Sequence, residues 1–433
     1  MYKTIAVVVT LLFFSTSLFP LGFSQPIHDE TNTLTRGNED SILEMVHQID
    51  SNLVSSYLQD LVAFGPRYTG TENCSKAAQY IYDTFQSQGL FTQLEPWTYA
   101  GFESQNVVAT LNGTGHSNAV VLMTAHYDTV LVSPGANDDA SGVATILAAA
   151  HVMGAYTFNH TIRFVAFSGE EVGTYGSFYH ARRSYERGDN IVAVINIDMV
   201  GFAESTRGGR VLRVFETLRT KWLSELCINV SDRYHEILNL TVETIPNYIG
   251  ADHQAFLDYG YDGVFFAHYD GYQWGHSEND TLDHINATYH VKSTRLLLSI
   301  VATLASRFIP LQVLFMTPRE GCLYLGNFSI LSLPLGLFWF LQLRGITIAF
   351  GSPLATVEVR SIDTIEYVIF CLDDTFITWD RTPPYNWQIE GKYAPPIGRH
   401  ILRAYAYDSK GRVASDEMDI LIYSLAYQYA PYK

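Results

Sequence analysis

The 433-residue chain is long enough for two to three domains, and 47% apolar against 16% charged residues supports a buried core and excludes wholesale disorder. Acidic residues outnumber basic ones 44 to 27, a net charge of −17 that repels phosphate backbones and excludes a nucleic-acid partner. Cys74, Cys227, Cys322 and Cys371 are too few and too scattered for a disulfide scaffold or a thiolate zinc cluster.

Residues 1–25 hold one lysine and then an uncharged run that ends in Gly22-Phe23-Ser24, the pattern of a signal peptide with a small-residue cleavage site. Read as an uncleaved anchor, the same run approaches the ~20 residues that cross a bilayer. Pro20 and Gly22 favour cleavage. Either reading exports the rest of the chain, so a secreted or cell-surface location is expected, with membrane contact only through that anchor. Eight N-x-[ST] sequons, at Asn73, Asn112, Asn159, Asn229, Asn239, Asn279, Asn286 and Asn327, fit exposure to a glycosylation system.

Helical spacing of apolar residues runs through SILEMVHQIDSNLVSSYLQDLVAF and again through SKAAQYIYDTFQSQGL, with the turn FGPRYTGT between them. Strand and helix patterns then alternate. NVVATL, AVVLMTAHYD, TIRFVAFSG, NIVAVINIDMVG and GYDGVFFAHYD read as strands. SGVATILAAAHVMGAY, GSFYHARRSYERG, LRTKWLSELCINVSDRYHEI and YHVKSTRLLLSIVATLASRF read as helices. Continuously apolar strands alternating with amphipathic helices predict an α/β three-layer sandwich with a mainly parallel mixed central sheet over residues 41–308.

Beyond Pro310 the period changes to two. Residues 352–433 are expected to form a C-terminal all-β immunoglobulin-like sandwich, with a hairpin turned at Asp408-Ser409-Lys410-Gly411. Residues 309–351 read as a linker or packed strands. Within them 322–343 carries no charge, but Gly326, Asn327, Pro334 and Gly336 interrupt it and favour strands over a membrane span.

The chemistry-bearing motifs sit at strand ends. His126 and Asp128 follow one strand in MTAHYDT, and Asp138 and Asp139 precede a helix in GANDDASG. Glu170 and Glu171 follow the next strand in FSGEEVGT, Asp198 ends NIDMVG, and His276 lies in WGHSENDT. Ligands of open α/β sheets bind outside the carboxyl ends of the strands, so these side chains are expected to converge. Imidazole and carboxylate suit a pair of zinc ions, with Asp138 able to bridge and one glutamate of the adjacent pair left as a base. GxSxG, Walker, GxGxxG-after-strand and HExxH patterns are absent from the sequence.

HYD, GANDDASG, SGEE, NIDM and HSENDT together resemble the co-catalytic dizinc aminopeptidases of the secreted bacterial leucyl aminopeptidase type. Glutamate carboxypeptidase and glutaminyl cyclase are relatives of that family. The resemblance runs from Ser41 to Ser306. It implies that His126, Asp138 and Asp198 hold one zinc ion, and that Asp138, Glu171 and His276 hold the other. It also implies that Glu170 is the general base, that Asp128 orients His126, and that Asp138–Asp139 is a cis peptide. Asp252 and His253 in ADHQAF match a landmark with a structural role. Gly275 stands where many relatives carry an aromatic residue before the last histidine, which leaves Tyr269 and Tyr272 as candidates for the oxyanion. The reading is an exported aminopeptidase acting on peptides. A carboxypeptidase or glutaminyl cyclase on the same scaffold, or a non-catalytic receptor-like module, are the alternatives. The partner of the β-sandwich is not readable from the sequence.

Overall fold

The computed structural model describes residues 36–114, 118–217, 219–246, 250–306, 311–332, 347–361, 364–389, 397–409 and 411–423. The amino-terminal signal or anchor segment lies outside the described residues. Among those described, no helix is long and apolar enough to cross a membrane.

The first part opens with three helices, α1 (Arg36–Gln48), α2 (Ser51–Val62) and α3 (Glu72–Ser87). The apolar period runs unbroken across the first two, yet the chain breaks between them because the Asp50 carboxylate accepts the Leu53 N–H at 2.8 Å and caps α2. There follow β1 (Phe91–Tyr99), β2 (Phe102–Leu111), β3 (Ala119–His126), α4 (Ala140–Met153), β4 (Thr161–Phe167), α5 (Tyr175–Arg187), β5 (Asn190–Ile197) and β6 (Val211–Glu216). The domain closes with α6 (Lys221–Arg233), α7 (His235–Leu238), β7 (Thr241–Pro246), α8 (His253–Asp258), β8 (Gly263–His268) and α9 (Ala287–Ser306).

The eight strands form one sheet in the order β1-β2-β4-β3-β5-β8-β6-β7. The four central strands, β4, β3, β5 and β8, are mutually parallel. They are apolar on both faces because helices cover both. Val120 and Leu122 of β3 pack with Val165, Phe167, Ala181 and Phe256 on the α5–α8 side. On the other side α4 packs against α2, α9 and β3, and all of its residues except His151 are buried. The expected sandwich is therefore present, with two strands outside the sequence reading on one flank (β6, β7) and one on the other (β1).

The all-β part comprises β9 (Gln312–Thr317), β10 (Cys322–Leu325), β11 (Phe328–Ser332), β12 (Thr347–Phe350), β13 (Leu354–Arg360), β14 (Ile365–Leu372), β15 (Thr375–Asp380), β16 (Tyr385–Gln388), β17 (Gly398–Asp408) and β18 (Val413–Tyr423). A seven-stranded sheet, β11-β10-β12-β18-β17-β14-β15, and a three-stranded one, β16-β13-β9, share one core that includes Val357, Phe370, Trp387, Ala404 and Ile420. Of the two readings of 309–351, linker or packed strands, the structure has strands: the stretch supplies four strands of these sheets, so the all-β region begins at β9. Its uncharged segment turns at Gly326 and Asn327, where β10 and β11 form a hairpin exposing Leu325, Phe328, Ile330 and Leu331. The rest of that segment, 333–343, lies outside the described residues.

The two parts meet through buried charge. Arg219 donates to Asp262 at 2.8 Å and to the Gly260 carbonyl, and it lies in the field of Asp416 and Glu320 from the all-β region. Arg319 caps the rings of Tyr185 and Tyr259, 4.8 and 5.4 Å from their centroids.

Candidate metal centre

The carboxyl ends of β3, β4, β5 and β8 bring the predicted residues together. His126 is the last residue of β3, Asp198 follows β5, the Glu170–Glu171 pair follows β4, and His276 lies in the loop after β8. Asp138 sits just before α4, and Asp139 caps that helix by accepting the Gly142 N–H at 2.9 Å. The Asp138–Asp139 peptide is cis.

Asp138 lies between the two histidines. Its Oδ1 is 3.3 Å from His126 Nε2 and its Oδ2 is 3.1 Å from His276 Nε2. His126 Nε2 is 3.7 Å from Asp198 Oδ1, and His276 Nε2 is 3.1 Å from Glu171 Oε2. Two groups emerge with spacing suited to a cation, His126–Asp139–Asp198 and Asp138–Glu171–His276. All five predicted ligands are thus together. Asp139 joins them through a carboxylate that also accepts the Met199 N–H at 3.0 Å.

The donors fit divalent metal ions. His126 Nε2, Asp198 Oδ1 and Asp139 Oδ2 are buried with no protein hydrogen-bond partner, which is costly unless something else satisfies them. Charge points the same way. Burial, together with neighbouring carboxylates, raises the pKa of Glu170, Asp139 and Asp198, and that of Glu171 to about 7. Burial opposes a charge on His126, but Asp128, Asp138 and Asp198 outweigh it and hold its pKa well above the usual value. Asp138 raises the pKa of His276 to about 9. Carboxylates in such excess call for a cation among them. Nitrogen and oxygen donors without thiolate suit zinc.

Supporting contacts fix the loops. His126 Nδ1 meets the Asp128 carbonyl at 3.1 Å, with the Asp128 carboxylate further away at 3.7 Å. That carboxylate instead accepts the Thr69 hydroxyl at 2.7 Å and the backbone N–H groups of Glu170 and Glu171 at 3.2 and 3.3 Å. The wholly buried Arg67 of the FGPRYTGT turn donates to the carbonyls of Tyr127 (2.7 Å), Pro134 (2.6 Å) and Gly135 (3.1 Å). Gly135 has φ +60°, and a Cβ there would collide with Thr129 and the Asp138 carbonyl, so only glycine fits. Met199 and His276 also adopt left-handed φ, 62° and 56°, a strain concentrated at functional sites.

Sequence reasoning missed the structural weight of Arg67, Thr69 and Asp280, whose bonds reach residues about 60 to 140 positions away. Of the oxyanion candidates, Tyr272 donates its hydroxyl to Asp280 at 2.5 Å, and the Tyr269 ring lies under Arg207 and Arg213. Trp274 stacks on His284 with centroids 3.8 Å apart. Asp252 and His253 are buried at the start of α8, with the Asp252 carboxyl in the electrostatic field of Glu170.

A three-layer α/β sandwich with an imidazole–carboxylate cluster at its strand ends defines an α/β metalloprotein. Residues 106–301 match the model of Peptidase family M28. A "Probable zinc metalloprotease" of Pyrenophora teres f. teres is 30% identical over 198 residues, 39% of this chain and 41% of that protein. The chain thus spans well under half the length of that curated relative. In fold it is similar to the LapA aminopeptidase of Legionella pneumophila, with a TM-score of 0.58 and 22% identity over 63% of this chain and 76% of that one. It is also similar to a glutaminyl cyclase of Bacteroides thetaiotaomicron, with a TM-score of 0.52 and 18% identity over 59% and 98%.

Proposed function

We propose that the chain is an exported zinc metallo-exopeptidase that removes amino-terminal residues from peptides. The observation that carries this is the placing of Asp138, whose two oxygens face two different histidines at 3.3 and 3.1 Å. Such a carboxylate suits a pair of ions. His126, Asp138 and Asp198 would hold one, and Asp138, Glu171 and His276 the other, with Asp139 behind them. When bound, zinc polarises the scissile carbonyl and lowers the pKa of a bound water toward ~7.

The chain's own residues do the rest. Glu170, whose burial raises its pKa, takes the proton of the attacking water and returns it to the leaving amine. Asp128 holds Glu170 in place through its backbone N–H. Amino-terminal rather than carboxy-terminal cleavage is supported by the fold similarity to the LapA aminopeptidase of Legionella pneumophila. Export rests on the residue 1–25 pattern and the sequons, of which Asn112, Asn159, Asn229, Asn239, Asn279 and Asn327 are exposed.

The test is a panel of free-amine, amine-blocked and free-carboxyl peptides assayed with zinc, beside metal analysis of the purified protein. Two zinc equivalents and hydrolysis that needs a free amine are expected. One equivalent, unchanged on adding zinc, would favour the cyclase. Cleavage of amine-blocked peptides from their carboxyl end would overturn the aminopeptidase reading.

A further inference from the structure

Asp280 is buried in the loop that carries His276, and it reaches across to the loop that carries Asp138. Three successive backbone N–H groups converge on it. Asn137 donates to Oδ1 at 2.8 Å, Asp138 to Oδ2 at 3.0 Å, and Ala136 to the Asp280 backbone carbonyl at 3.1 Å. The Tyr272 hydroxyl donates to the same Oδ1 at 2.5 Å. Within its own loop, the Asp280 N–H donates to the Ser277 carbonyl at 3.2 Å, and Ser277 is tied back to Trp274 by its N–H at 3.2 Å and its hydroxyl at 2.6 Å. His276 lies inside that closed turn.

Asp280 therefore binds the mount of one shared carboxylate to the mount of an imidazole that must meet it, 3.1 Å away. A carboxylate accepting two backbone N–H groups and a hydroxyl is a strong, directional clamp. Partners of this kind set metal affinity without touching the ion.

We infer that Asp280 is a positioning residue that sets the separation of Asp138 from His276, and with it the zinc affinity of the site formed by Asp138, Glu171 and His276. This rests on the two-zinc reading above. The geometry also assigns Tyr272 to this clamp, and so removes it from the candidates for the oxyanion.

The experiment is zinc titration with chelator competition on the full chain, for wild type, Asp280→Asn and Tyr272→Phe, with thermal melting of each zinc-free protein and steady-state kcat and KM. An asparagine keeps the shape but turns one acceptor into a donor facing an N–H. The expected result is a ~10–100-fold weaker zinc at the site holding His276, with a smaller loss at the site that shares only Asp138 with it. The kcat should fall while KM stays within about twofold. Unchanged zinc constants, or an equal loss at both sites with a lower zinc-free melting temperature, would overturn the inference. If Asp280→Asn yields no folded protein, Tyr272→Phe decides: a larger loss of affinity at the site holding His276 supports the clamp, and unchanged constants overturn it. A wild type that binds fewer than two zinc ions overturns this inference together with the functional reading, whereas two ions with an unaffected variant overturn this inference alone.

Discussion

The carboxylate of Asp128 accepts the backbone N–H of Glu170 at 3.2 Å, so the loop after β3 holds the loop after β4. Thr69 closes the same carboxylate from the FGPRYTGT turn at 2.7 Å. Replacing Asp128 with Asn puts a donor where N–H groups already point. The expected outcome is a ~10–100-fold fall in kcat/KM, with a smaller fall for Thr69→Val, both measured by steady-state kinetics on a free-amine peptide. Wild-type kinetics in Asp128→Asn would show that the loop is held by other contacts.

The neighbouring glutamates diverge in role. Glu171 lies 3.1 Å from His276 Nε2, and the proposed reading makes it a ligand and assigns Glu170 to the proton of the attacking water. Glu170→Gln is expected to lower kcat by at least ~10²-fold and to keep both metal equivalents. Glu171→Gln should weaken one ion. Metal analysis and turnover on the same preparations separate the two, and near-normal turnover in Glu170→Gln would reject the assignment.

Arg67 gives a stability prediction. Its buried guanidinium serves the carbonyls of Tyr127, Pro134 and Gly135, and burial lowers its pKa only to about 10, so it stays charged. Arg67→Met orphans all three acceptors, at ~1–3 kcal/mol each. A loss of at least ~3 kcal/mol is expected in denaturant unfolding, and Arg67→Lys should rescue little because an ammonium lacks the planar fork.

The seam between the two parts predicts a pH dependence. Burial, with mutual repulsion, raises Glu320 to about 7, and burial raises Asp258 and Asp416 to about 6, around Arg219 and Arg319. Free carboxyls titrate near ~4, so the folded state binds more protons than the unfolded state between these values. Their contribution is full below pH ~4, is lost as pH rises toward ~7, and is flat above. Glu320→Gln should flatten the slope of unfolding free energy between pH 5 and 8 relative to wild type. An unchanged slope would place the titrating groups elsewhere.

Much of this was legible in the chain. The four central strands are apolar and each is followed by its functional motif, so order and spacing brought the motifs together, while the choice of His126, Asp138, Glu171, Asp198 and His276 among them came from the resemblance to the dizinc aminopeptidases. The flanking strands were not. β1 contains Pro96 and exposes Phe91 and Tyr99, because it lies at the sheet edge and its pattern carries no clean period. β6 and β7 carry Arg213 and Glu216, and Thr241, Glu243 and Thr244, so neither shows the continuous apolar run that marks the six-residue β8. Asp280 reads as an ordinary loop residue, since its partners at 136–138 are more than 140 positions away.

The ligand set is lopsided in its access to water. His126 is 1% exposed and its strand backs onto the largely buried helix α4, whereas the His276 side chain is 63% exposed on a loop. Ions would therefore enter and leave past His276, and the ion beside it would exchange with solution faster than its neighbour. A dialysed sample would pass through a singly loaded form in which the His126 position is still filled. Loading with two different metals in sequence is then a practical route to a mixed pair, the first metal taking the deep position once the outer one has been stripped and refilled.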